Sequence, residues 1–144
     1  MHRRMAIISL AFLTTGCVST NMALLDPSVR LAPICPDGVA LFTAADRVGK
    51  EFREVAILNS SGETGSTSER GMYDSMRKKA AEAGANGIIL GNIVEPNAGT
   101  KIVGALFGTG SQRKGTSTAI YIPSDSTRVQ EACNGVENRA TTRS

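Results

Sequence analysis

Residues 66–94 read STSERGMYDSMRKKAAEAGANGIILGNIV, and this stretch decides the fold. Ser66 and Glu69 have the spacing of a capping box, in which a hydroxyl and a carboxylate satisfy free amides of a first helical turn. Met72, Met76, Ala80 and Ala83 then recur at helical spacing and share one face, flanked by Tyr73. Glu69 sits toward the positive end of the helix dipole, and Arg77, Lys78 and Lys79 toward the negative end. Gly84 ends the helix, because glycine takes a left-handed conformation at little cost. Gly71 is the one poor helix former, and its place in the first turn predicts close packing on a sheet. Past the turn at Asn86-Gly87, Ile88, Ile89, Leu90, Ile93 and Val94 make an apolar run suited to a strand covered on both faces.

Working outward, residues 39–42 and 52–59 read as two strands before the helix. In the second, Phe52, Glu54, Ala56 and Leu58 alternate with Arg53, Val55 and Ile57. Residues 116–122 alternate Ser117, Ala119 and Tyr121 with Thr118, Ile120 and Ile122, and Pro123 ends that strand. The expected fold class is α+β: a small sheet of about four strands and one main helix in a strand-helix-strand crossover, in β-β-α-β-β order. The domain spans residues 38–133. The last two strands form a hairpin whose long tip, residues 98–115, is rich in glycine. Gly110 and Gly115 have the spacing of a phosphate loop, but Thr116 stands where the lysine is needed and a strand follows, so nucleotide binding is not indicated. Ile102, Val103, Leu106 and Phe107 lie within the tip. Either they fold back over the sheet, or they form a mobile patch for a protein or a membrane surface.

The 144 residues suffice for one domain. Residues 1–16 have the order of a secretory leader: Arg3 and Arg4, an apolar core over residues 6–13, then small residues. That core is far shorter than the ~20 residues that span a bilayer. Without Arg3 and Arg4 the chain has 14 basic and 13 acidic side chains, and so lacks the basic surface of a nucleic-acid binder. Residues 17–37, with Pro27, Pro33 and Pro36, read as a tether, and residues 134–144 as a disordered polar tail. Cys35 and Cys133 flank the outermost strands, and a bridge between them would tie the two ends of the domain together. A redox pair of free thiols is the other reading, and no C-x-x-C motif stands behind it.

The only histidine is His2, so the remainder of the chain has no Ser-His or Cys-His nucleophile. Two cysteines and scattered carboxylates fall short of a zinc ligand set. The sequence therefore indicates no catalytic site, no metal and no cofactor.

Thr14-Thr15-Gly16 before Cys17 resembles a bacterial lipoprotein signal, although Thr14 stands where that family prefers leucine. The resemblance implies cleavage before Cys17, acylation of that cysteine with palmitate-type chains, and anchoring in a membrane. Val18, in place of aspartate, implies the outer membrane, with the domain facing the periplasm. A second resemblance rests on Val48-Gly49-Lys50-Glu51-Phe52-Arg53-Glu54-Val55, on Met76 to Ala80, and on Gly84-Ala85-Asn86-Gly87 leading into Ile88-Ile89-Leu90. Over residues 38–122 these motifs are similar to the Rcs envelope-stress sensor lipoprotein and its small αβ relatives. That likeness implies a compact sheet with one helix, acting as a non-enzymatic sensor or protein-interaction module with an envelope protein as partner. The other expectation is a periplasmic protein that binds a small ligand or a metal.

Overall fold

The computed structural model describes residues 18–107 and 111–141. It is a mixed α+β fold with five strands in one sheet. The strands are β1 (Ser19–Leu24), β2 (Ala40–Phe42), β3 (Arg53–Glu63), β4 (Gly87–Val94) and β5 (Gln112–Tyr121). The helices are α1 (Glu69–Glu82), α2 (Ala98–Phe107) and α3 (Ser126–Thr141). Strand order across the sheet is β1-β3-β5-β4-β2; β2 pairs parallel to β4, and the other three pairings are antiparallel. Because β3 and β4 both run antiparallel to β5, they are parallel to each other. The crossover through α1 thus connects two strands that β5 holds apart.

The α+β class holds, but the expected four strands, one main helix and β-β-α-β-β order do not: there are five strands, and strands and helices alternate as β-β-β-α-β-α-β-α. The segment read as a tether contains β1. Its Thr20, Met22 and Leu24 turn inward while Asn21 and Ala23 are exposed, a period of two that lasts only six residues. Thr20 is buried; its hydroxyl donates to Ser60 Oγ at 3.0 Å and lies 2.7 Å from Ser75 Oγ. These hydroxyl contacts bind the edge strand to both β3 and α1. The glycine-rich tip contains α2 rather than a loop. The segment read as a disordered tail carries the second half of α3.

The capping box is also corrected. Backbone bonds from Ser66 N and Thr67 N to Glu63 O turn the chain for two more residues. Ser68 then caps α1, its Oγ accepting from the Gly71 amide at 3.1 Å. Met72, Met76 and Ala80 are buried as their spacing predicts, joined by Ala81; Ala83 is only half-buried. Gly84 takes φ +74, and a side chain there would collide with Leu31 and the Ala32 carbonyl.

The sheet has apolar clusters on both faces. Under α1, Met76, Ala80 and Ala81 pack with Ala56, Leu58, Ile88 and Ala119. On the opposite face Val48, Ile120 and Ile122 pack with Phe42, Phe52 and Ile89. β4 is thus covered on both faces only in its first half, and Val94 at its end is 63% exposed. A register shift between Glu54 and Ala56 breaks the alternation expected across β3. Close approach of helix and sheet occurs at Gly115 of β5, where a Cβ would meet the Met72 and Met76 methyls at 3.3 and 3.2 Å. Gly71, expected in that role, has only ordinary spacing around it.

Candidate functional site

The residues singled out in the sequence fall at two ends of the sheet. Pairing Ser19↔Ser61, Glu63↔Gln112 and Val94↔Lys114 puts the start of β1, the end of β3, the start of β5 and the end of β4 at one end. α2 joins β4 to β5 and therefore lies at this end as well. Cys17 and the leader lie outside the described residues, but Cys17 precedes β1 by a single residue, Val18. Within α2, Ile102 is 61% exposed and Leu106 is 76% exposed. They are four residues apart, which puts them on one face of the helix. The side chains of Val103 and Phe107 lie outside the described residues. Ile102 and Leu106 are exposed rather than folded back over the sheet. Glu95 ties the base of α2 to β5: Lys101 Nζ donates to it at 3.3 Å, and Arg113 donates from β5. The positive charge of both partners holds the Glu95 carboxyl below the usual glutamate range, with the hydrogen bond from Lys101 the largest cause.

The opposite end carries the disulfide and a polar lock. Cys35 and Cys133 are joined, their Cα atoms 5.6 Å apart, which ties the segment before β2 to α3. Asn86, in the turn before β4, donates from Nδ2 to Ile122 O at 2.9 Å and accepts from the Ile122 amide at 2.7 Å. Arg128 of α3 donates to Gly38 O, Asn86 O and Asp125. Asp125 is buried and also receives Lys50. Burial alone would push its carboxyl up, but the hydrogen bonds and charges of Lys50 and Arg128 outweigh that and hold it below 3.8.

This lock explains the motifs that carried the resemblance. Within residues 48–55, Val48 and Phe52 enter the second apolar cluster, Gly49 turns with φ +63, and Lys50 reaches Asp125. In residues 84–86, Gly84 ends α1 and Asn86 clamps β5. Both motifs therefore have structural work. Sequence reasoning missed Asn86, Asp125 and Arg128 as a group; a buried asparagine beside a tight turn was the only local signal.

Beside the lock is a cleft of about 290 Å³ lined by Leu31, Ile34, Asn86, Tyr121, Val129 and Gln130, among others. Its lining is mostly apolar and its one buried amide, that of Asn86, is already bonded to Ile122. Among the described residues, no group of three or more His, Cys, Asp or Glu side chains could hold a metal ion. Among them also, no helix is long and apolar enough to cross a membrane.

The architecture defines a small α+β domain with α1 across an antiparallel-rich sheet. A Francisella virulence factor, FvfA, has a similar fold in its crystal structure. Its TM-score is 0.50 at 15% sequence identity, over 71% of this chain and 96% of that one. At this identity the likeness concerns the fold. No protein-family model and no curated protein matches the chain.

Proposed function

We propose that the chain is a lipid-anchored lipoprotein of the bacterial outer membrane, held by acylated Cys17, with its domain facing the periplasm. In this reading the domain is a non-enzymatic sensor or protein-interaction module of the kind used in envelope-stress signalling. The single observation that carries it is the Cys35–Cys133 bridge, which encloses α1 and four of the five strands. Such bonds persist in oxidising compartments, and the leader over residues 1–16 would deliver the chain to one. Two carboxylates are engaged in structure, Asp125 with Lys50 and Arg128, and Glu95 with Lys101 and Arg113.

Palmitate labelling in cells tests the anchor. Wild type takes up label and Cys17→Ala does not; equal labelling of the two, or none, rejects it. Photo-crosslinkers at exposed Lys78 and Gln130 in intact cells then test the interaction role, which predicts one reproducible protein partner.

The second reading is a periplasmic small-ligand binder, favoured by the cleft beside Tyr121 and Val129. Its volume is near the lower limit of roughly 300 Å³ for ligand pockets. A metabolite that raises the melting temperature of the purified protein, with no partner crosslinked, would favour this reading.

A further inference from the structure

We infer that α2 is a second membrane contact, lying on the bilayer surface beside the Cys17 anchor with Ile102 and Leu106 turned into the acyl chains. This rests on the lipid-anchored reading above. The expected tether would have let the domain hang away from the membrane in any orientation. The structure leaves no such slack. With only Val18 between Cys17 and β1, the anchor lies within about 7 Å of Ser19 along an extended chain. The end of the sheet where β1 starts must therefore face the lipid.

α2 occupies that same end. β1 lies two strands from β5 and three from β4, the strands that α2 joins. At a spacing of about 4.8 Å per strand, the helix is roughly 10–15 Å to the side of the anchor. Ile102 and Leu106 project from one face, and exposed Val94 lies at the same end. Ten residues make a helix of about 15 Å, half the ~30 Å hydrocarbon thickness, so α2 can lie on a bilayer but cannot cross it. Lys101, Arg113 and Lys114 offset Glu63, Glu69 and Glu95 at this end, so anionic headgroups would meet no net negative surface. The contact is then apolar insertion at the interface. A protein partner would have to enter the gap between this end and the bilayer, which the missing tether keeps narrow. Two attachment points, acyl chains at one side and α2 at the other, would fix the tilt of the sheet and present the disulfide end to the periplasm.

The chain contains no tryptophan, so a single one reports its own surroundings. Full-length Leu106→Trp, produced with its leader and purified as the acylated form, is reconstituted into phosphatidylethanolamine–phosphatidylglycerol vesicles with brominated acyl chains. Val29→Trp, in the turn after β1 at the opposite end of the sheet, is the control. Flotation with the vesicles reads the anchor separately from fluorescence. The inference expects both proteins to float, Trp emission at 106 to be blue-shifted on vesicle binding and mostly quenched, and emission at 29 to be unquenched and the same with and without vesicles. Flotation with solvent-like emission at 106 overturns the inference while the anchor stands, and leaves the patch to a protein. Quenching at both positions overturns it too, because the contact would not be specific to α2. Failure to float rejects the anchor, and the inference with it. An intact Cys35–Cys133 bridge by mass spectrometry checks that both variants are folded.

Discussion

Asn86 grips Ile122 with both ends of its side-chain amide, donating at 2.9 Å and accepting at 2.7 Å. The pair works like one extra rung of sheet, joining the turn before β4 to the end of β5 where the strand ladder stops. Both residues are buried. Asn86→Ala would strand the Ile122 amide at about 1–3 kcal/mol, while the Ile122 carbonyl keeps the Asp125 amide at 3.2 Å. The expected outcome is a loss of about 1–3 kcal/mol of stability, read as a lower urea midpoint at unchanged slope.

Asp125 makes stability depend on acid. Its folded pKa lies below the unfolded value near 3.8, so the carboxylate stabilises the fold above that value. The contribution is lost as pH falls from the unfolded pKa through the folded one. Urea unfolding of wild type between pH 7 and pH 2 should show a stability decline below about pH 4. Asp125→Asn should be less stable at pH 7 and show a shallower decline, so that the two curves converge in acid.

The Cys35–Cys133 bridge spans 98 residues of sequence. Loop-entropy models give about 4.7 kcal/mol for a loop of roughly this length. Reduction, or the double variant Cys35→Ser with Cys133→Ser, should lower stability by about 2–5 kcal/mol. Circular dichroism should still show a folded sheet at 25 °C, because neither apolar cluster includes the cysteines.

Two glycines should respond in opposite directions. At Gly71 a Cβ would meet only Ser68 Oγ at 3.5 Å and Val18 at 3.8 Å. Gly71→Ala should therefore raise stability by about 0.5–1 kcal/mol through helix propensity. At Gly115 the Met72 and Met76 methyls stand at 3.3 and 3.2 Å. Gly115→Val should overpack the helix–sheet interface and lower stability by about 1–3 kcal/mol. Thermal melts of the two variants beside wild type check both signs.

The sequence by itself determined the elements with strong local signals. The period of Met72, Met76 and Ala80 marked the buried face of α1, and Gly84 marked its end. The alternation of β5 and the apolar run of β4 were legible for the same reason: a side chain's face follows from its position along a regular element. The two cysteines were visible as candidates for a bridge, but Cys35 follows β1 rather than preceding every strand. Three segments were not legible. β1 is only six residues long, so its alternation is too brief to stand out among prolines. α2 contains Gly99 and Gly104, which disfavour an isolated helix and read as loop. α3 carries a polar sequence whose first half is held by Arg128, by the bridge at Cys133 and by packing of Val129 near Gly38. Tertiary structure alone decided that β1 closes the sheet against β3, because pairing depends on partners 40 residues away. It also decided that α2 and the start of β1 share one end of the sheet. No local property of either segment encodes that shared position; it follows from the register of four strands that only assemble together.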